Sequence, residues 1–238
     1  MKKFLLLLVI SFFLIPTKHS ITIKATSSED NPAIEVKSPV GLLMEFSTGQ
    51  IIYAKNINEK MYPASMTKMM GLYIVLEKIK DNYISYDDIV IVSENAASMG
   101  GSQVFLEPGE QISVHDLFKS ICIASANDSI VALGEHIFGN EQNFINEMND
   151  MAKRLGMNDT NFVNPTGFYD KEHYTTANDM ATLALALLTS YEDDILKYTS
   201  LYEGYIRENT PKPFWLVNTN KLVRFYNGMD GLKTGVLL

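Results

Sequence analysis

A serine and a lysine three residues apart, Ser65 and Lys68, follow Pro63-Ala64 directly and open an apolar run of helical spacing. Positions i and i+3 share a helix face, so the Ser65 hydroxyl and the Lys68 amine can meet. A hydroxyl is a weak nucleophile that needs a base within hydrogen-bond reach, and a lysine serves once its surroundings make it neutral. The positive end of a helix also favours a developing oxyanion. The same residues also describe an N-capping serine and a solvated lysine, so the motif alone decides little. Sixty residues on stands Ser125-Ala126-Asn127, between two apolar runs. Its hydroxyl can relay a proton and its amide can hold a base and a substrate carbonyl; it reads equally well as a polar loop. After 108 more residues comes Lys233-Thr234-Gly235, inside a strand-like run. A cation beside a hydroxyl makes a carboxylate clamp, and a glycine lets a ligand lie against the backbone. The alternative is a strand end with a turn glycine.

The elements that would position these residues follow an α/β pattern. Residues 40–47 and 51–55 read as a hairpin around Thr48-Gly49-Gln50. Pro63 stops the chain, and 65–80 has helical spacing through Met69, Leu72, Tyr73, Leu76 and Ile79. A short strand is expected at 89–92. Ser113 with Asp116 three residues on marks a capped helix whose apolar face is 117–123. Helices at 128–138 and 141–155 stop at Gly139 and Gly156. Residues 162–169 carry Pro165 and Gly167 and form a loop, and 176–189 is a helix. From Tyr202 onward strand-like runs return, the last at 229–238. Strands at both ends and helices between predict one mixed sheet plus a helical subdomain.

The chain of 238 residues has 46% hydrophobic and 20% charged residues, which excludes disorder and fibrous classes. Lys2-Lys3 precede the apolar run 4–15, which Pro16 closes, and this describes a secretory signal peptide over 1–25. The run is shorter than the roughly 20 apolar residues of a membrane span; an uncleaved anchor is the alternative. Residues 26–39 read as a linker and 40–238 as the working domain. The formal charge is −8, and without the four leader lysines 16 basic residues face 28 acidic ones, a net of −12. Such a surface does not grip nucleic acid. A single cysteine, Cys122, excludes a disulfide framework and reads as a buried structural thiol. His115, His136 and His173 lack metal-ligand spacing, and His173 reads as a loop or capping residue. Met66, Met69, Met70, Met99, Met148 and Met151 read as core, and Phe214, Trp215, Phe225 and Tyr226 as sheet packing.

The three motifs in this order resemble the active-site set of penicillin-recognising serine enzymes. The text around them narrows the resemblance: PASMTK at 63–68, SENAASMGG at 93–101, FLEPG at 105–109, IASANDS at 123–129 and DGLKTG at 230–235. These runs are similar to the D-alanyl-D-alanine carboxypeptidases, the low-molecular-mass penicillin-binding proteins. The resemblance spans about 40–235. It implies a β-lactamase/transpeptidase-like α/β fold, a mixed, mostly antiparallel sheet flanked by helices with a helical subdomain. It implies that Ser65 attacks the D-Ala-D-Ala carbonyl with Lys68 as general base, and that Ser125 passes the proton to the departing D-alanine. Asn127 would position Lys68 and the peptide, Lys233, Thr234 and Gly235 would bind the terminal carboxylate side, and the N–H groups of Ser65 and Val236 would form the oxyanion hole. A second cation, Lys233, would push Lys68 toward neutrality. No metal or organic cofactor is implied. The implied partners are peptidoglycan stem peptides ending in D-Ala-D-Ala and β-lactams, on the outer face of a bacterial membrane that the chain would touch only through its signal segment.

Two rivals share these motifs. Class A β-lactamases add a glutamate in a loop after Ser-x-Asn; the comparable stretch 156–169 offers Asp159 and no glutamate. The second rival is a non-catalytic binder of muropeptide or β-lactam. In the resembled family further strands, a closing helix, a β-rich stalk and an amphipathic anchor follow the lysine-threonine-glycine motif, with a polar residue where Val236 stands. The sequence ends three residues after Gly235. A C-terminally truncated domain is therefore expected, less stable and less active than an extended form because a sheet edge would stay uncovered.

Overall fold

The computed structural model describes residues 36–236, so the expected signal segment, most of the linker and the last two residues lie outside the described residues. Strands β1 (Gly41–Met44) and β2 (Ile51–Lys55) form the expected antiparallel hairpin. A single 3-10 turn, Ala64–Thr67, leads into helix α1 (Lys68–Lys80). Ser65 thus sits on the entry turn and not in the α-helix proper. Strand β3 (Ile89–Ile91) precedes the short α2 (Glu94–Ala97) and pairs antiparallel with β4 (Gln111–Ser113). Helix α3 (Val114–Ala124) starts as predicted, the Ser113 hydroxyl accepting from the Asp116 N–H at 3.1 Å. Helices α4 (Asn127–Phe138) and α5 (Glu141–Leu155) end at Gly139 and Gly156, at φ of 83° and 79°. Helix α6 (Ala177–Thr199) is followed by the hairpin of β5 (Glu203–Ile206) and β6 (Phe214–Val217) and by a short α7 (Leu222–Phe225).

Several details of the expectation need correction. Helix α6 runs ten residues past 189 because the chain breaks from helical geometry only at Tyr191 and then resumes. Tyr191, Ile195 and Tyr198 are buried at i, i+4 and i+7, which keeps the second segment on the core. Residues 229–236 form no strand, because no backbone among the described residues pairs with them. Among the described residues the six strands pair as three separate antiparallel ribbons. Trp215, Phe225 and Tyr226 are exposed, not packed. On β6 the pleat turns Leu216 inward and Trp215 outward.

The core is built around α1, whose Met69, Met70, Leu72, Ile74, Val75 and Leu76 are all buried. A helix apolar on nearly all sides must be enclosed, and α4, α5 and α6 pack on it. Met148 and Met151 join the core, with Met66 and Met99 against its edge. Glycines let these helices approach closely: a Cβ on Gly71 would lie 2.6 Å from Ile130 Cδ1, and one on Gly134 would lie 2.1 Å from Phe144 Cδ1. Among the described residues no helix is long and apolar enough to cross a membrane.

Gly134→Ala tests this packing. Alanine gains about 0.5–1 kcal/mol of helix propensity. Its methyl, however, collides with a ring that is fully buried and stacked on Phe138 at 5.6 Å. Overpacking of that kind costs about 1–3 kcal/mol, so the clash wins, and urea denaturation should show a lower midpoint. An unchanged or raised midpoint would show that Phe144 yields freely.

Candidate active site

The Ser65–Lys68 turn is shaped by its neighbours as much as by its own sequence. Ala64 takes φ +48°, a left-handed conformation that few non-glycine residues adopt. Two glycines press against it. A Cβ on Gly167 would lie 1.9 Å from the Ala64 carbonyl oxygen and 2.9 Å from Ser65 N. A Cβ on Gly235 would lie 2.9 Å from the Pro63 carbonyl oxygen. The loop at 162–169 and the motif at 233–235 therefore bracket the turn from two sides at backbone distance.

Lys68 has no exposed surface. Its Nζ lies 3.0 Å from Ser65 Oγ and donates to the Thr166 carbonyl at 2.7 Å. Burial holds the amine well below the ordinary lysine value; the Lys233 cation pushes it the same way, against the Asp128 carboxylate. Lys233 was expected to be the main cause, and desolvation exceeds it. Lys233 is itself lowered by burial, to about 8. Its amine donates to the Thr234 carbonyl at 3.0 Å, and the Thr234 hydroxyl donates to Thr219 Oγ1 at 2.8 Å. These residues lie in a segment without regular secondary structure, not on the expected strand.

Ser125 ends α3 at φ +63°, ψ 32°. Its Oγ and the Asn127 Oδ1 are buried with no hydrogen-bond partner among the described residues. Asn127 Nδ2 donates to the Gly100 carbonyl at 2.7 Å, so the amide does not hold Lys68 as expected. Ser65, Ser125, Asn127, Thr234 and Val236 line one cleft of about 480 Å³. Lys68 and Lys233 are not among its lining residues; Lys233 lines a separate cavity of about 550 Å³ beside Met61, Tyr62 and Pro63. Asp159, the nearest counterpart of a β-lactamase glutamate, lies on the surface beside Lys60 at 4.0 Å. Cys122 is buried, which pushes its thiol far up and leaves it inert.

Several residues at the site were not singled out from the sequence. Asp128 is fully buried and accepts from the N–H groups of Val104, Leu106 and Ser129 at 2.9, 3.2 and 2.9 Å, which fixes the segment beside Asn127. Asn164 knots the Thr166 loop: its Oδ1 accepts from the Thr166 hydroxyl and the Gly167 and Phe168 N–H groups at 2.9, 2.7 and 3.0 Å. The Asn-Pro-Thr-Gly run is a turn signal that could have drawn attention to it. His173, expected in a loop or cap, is buried and reaches Thr67 Oγ1 at 2.8 Å.

Comparison with known proteins shows the fold and the family. The chain has the transpeptidase/β-lactamase-like fold of penicillin-recognising proteins. It superposes with a TM-score of 0.81 on D-alanyl-D-alanine carboxypeptidase DacD from Francisella tularensis, at 30% identity over 95% of this chain and 65% of that one. With penicillin-binding protein D2 from Listeria monocytogenes in its ampicillin-bound form the TM-score is 0.75, at 28% identity over 87% of this chain and 82% of that one. The D-alanyl-D-alanine carboxypeptidase family profile matches residues 24–237, and the chain belongs to that family. D-alanyl-D-alanine carboxypeptidase DacF of Bacillus subtilis (strain 168) is 48% identical over 236 residues, 99% of this chain and 60% of the relative. DacC of Escherichia coli (strain K12) is 34% identical over 220 residues, 89% of this chain and 52% of the relative. The chain thus spans between half and two thirds of the length of these relatives.

The two bracketing glycines give an ordered expectation. Gly167→Ala meets backbone at 1.9 Å and must also hold φ +84°, whereas Gly235→Ala meets its nearest atom at 2.9 Å. Displacing a reacting group by about 1 Å costs on the order of 10²-fold in rate. Penicillin acylation should fall further in Gly167→Ala than in Gly235→Ala. The reverse order, measured by stopped-flow fluorescence, would show that the Thr166 loop does not set the turn.

Proposed function

We propose that the chain acts as a serine-type D-Ala-D-Ala carboxypeptidase that trims peptidoglycan stem peptides through an acyl-enzyme on Ser65 and binds penicillin covalently. The observation that carries this reading is the buried Lys68 amine, held toward its neutral form 3.0 Å from the Ser65 hydroxyl. Lys68 takes the Ser65 proton as Oγ attacks the carbonyl of the D-Ala-D-Ala bond. The resulting oxyanion is received by the N–H groups of Ser65 and Val236. The C–N bond breaks, and the proton returns through Ser125 to the departing D-alanine. Water then attacks the ester and restores Ser65. Asn127 offers its free Oδ1 to the peptide, and Lys233, Thr234 and Gly235 hold the terminal carboxylate side. Family membership and the ampicillin-bound Listeria relative support the ligand class. The signal-peptide pattern at 1–25 and a substrate outside the cytoplasm support export to the outer face of the membrane.

Mass spectrometry of the penicillin-treated chain should place one adduct on the Ser65 peptide. Lys68→Ala should lose proton transfer worth roughly 10²–10⁴-fold in acylation. An adduct that persists in Ser65→Ala sinks the nucleophile assignment. The β-lactam adduct should also be long-lived, since none of the described residues lining the cleft carries a carboxylate to activate water. Rapid turnover of nitrocefin would favour the β-lactamase reading instead.

Lys233 sets the alkaline side. An amine titrating at about 8 is charged below that pH and neutral above it. For peptides with a free C-terminal carboxylate, kcat/KM should therefore decline as pH rises through about 8. The decline should vanish in Lys233→Arg, whose guanidinium stays charged. The same alkaline limb in that variant would assign it to another group.

A further inference from the structure

The three-residue run His173, Tyr174 and Thr175 touches both the segment that leads into the Ser65 turn and the segment that leads into the Thr166 loop. Thr175 exchanges two backbone hydrogen bonds with Met61, at 2.9 and 2.8 Å, just before the catalytic turn. Tyr174 exchanges two with Asn161, at 3.1 and 2.9 Å, just before the loop that carries Thr166. Between these anchors His173 bonds to both structures at once. Its Nδ1 lies 3.1 Å from the Val163 backbone N, and its Nε2 lies 2.8 Å from Thr67 Oγ1.

The backbone N–H can only donate, so Nδ1 is the bare nitrogen and Nε2 carries the proton and donates to Thr67. A neutral imidazole meets both demands, and an imidazolium, with two donors, does not. His173 and Thr67 are 1% and 0% exposed, so no solvent competes. Thr67 stands between Ser65 and Lys68, and the Val163 side of the bridge leads within three residues to the carbonyl that receives Lys68.

We propose that His173 is a positioning residue for the Ser65–Lys68 couple: it fixes the separation between the catalytic turn and the Thr166 loop, and so keeps Lys68 dry and aimed at Ser65. This rests on the reading of Lys68 as the base. Without the bridge the loop lifts, water reaches Nζ, and the amine regains its proton at neutral pH. The groups facing Lys68 are Lys233 and Asp128, and the group facing His173 is Asp170, all of which the substitutions below leave in place. Burial lowers His173 to about 4, against the pull of Asp170. The unfolded chain takes up this proton near pH 6.5 and the folded chain only near 4, so acidification across that window weakens the fold.

The test compares the pH profile of penicillin acylation in wild type, His173→Ala, Thr67→Val, the double variant and His173→Gln. Each single variant should lower the rate at pH 7 by about 10- to 100-fold and move the acid limb to higher pH. The double variant should add little, because both changes cut one bridge. Glutamine, with one donor and one acceptor, should restore part of the rate. Nitrogen NMR of the wild type should show Nε2 protonated and Nδ1 bare until the pH nears 4. Should His173→Ala fail to fold, Thr67→Val carries the same expectation. Variants that lose melting temperature but keep the acid limb and the rate would overturn the positioning role and leave Lys68 as base untouched. A wild-type chain that penicillin never labels would remove the underlying reading as well.

Discussion

A lysine amine with no exposed surface persists in one of two ways: paired with a buried anion, or uncharged. Among the described residues Lys68 has no carboxylate within hydrogen-bond distance; its partners are a hydroxyl and a carbonyl. The closest acidic influence, Asp128, spends its oxygens on three backbone N–H groups. A lone charge in such surroundings carries a desolvation penalty that shifts of several pKa units normally relieve. Burial therefore decides the protonation state, and Lys233 adds to it. Ser65, the Thr166 loop and Lys233 are all arranged around that one buried amine.

Keeping an amine dry is a packing problem, and the architecture is directed at it. Helix α1 is enclosed because its sequence is apolar almost all round, and Gly71 and Gly134 remove the side chains that would hold the neighbouring helices off. Lys68 is the first residue of that helix, so its stem enters the core while its amine turns back to the entry turn. The remaining opening is closed by the Thr166 loop, which can approach only because Gly167 has no Cβ. Core density and base strength are thus one property seen at two scales.

The three motifs were legible in the sequence because their residue types carry their own chemistry and the chain order matched a known pattern. The helices were legible from periodicity and from caps such as Ser113, Gly139 and Gly156. What escaped notice depends on tertiary contact. Thr166 meets Lys68 only through its carbonyl, which every residue has, so its identity gives no signal of that contact. His173 reads as a polar loop residue until the fold brings Thr67 and Val163 to its two nitrogens. The residues at 229–236 have strand composition, yet a strand exists only with a partner, and none of the described residues supplies one. Helix α6 passed the expected stop because a single non-helical residue, Tyr191, interrupts the geometry without ending the burial.

Ser125-Ala126-Asn127 departs from the hydrogen-bonding pattern of its surroundings. Nearby polar groups are satisfied generously: the buried Asp128 carboxylate has three donors, and so does the half-buried Asn164 Oδ1. At this tripeptide the pattern reverses, since Ser125 Oγ and Asn127 Oδ1 are buried and unpaired within the described protein. Each such group costs about 1–3 kcal/mol, and the left-handed backbone of Ser125 adds of order 1–3 kcal/mol. These penalties fall on adjacent residues that share a cleft with Ser65, while α3 and α4 on either side are firmly packed. A peptide bond lying across the cleft presents an N–H that Asn127 Oδ1 can accept and groups that Ser125 Oγ can bond. Binding then recovers what folding left unsatisfied. A ligand that buries the same area without those groups recovers nothing, so the unpaired atoms discriminate among ligands as well as hold them.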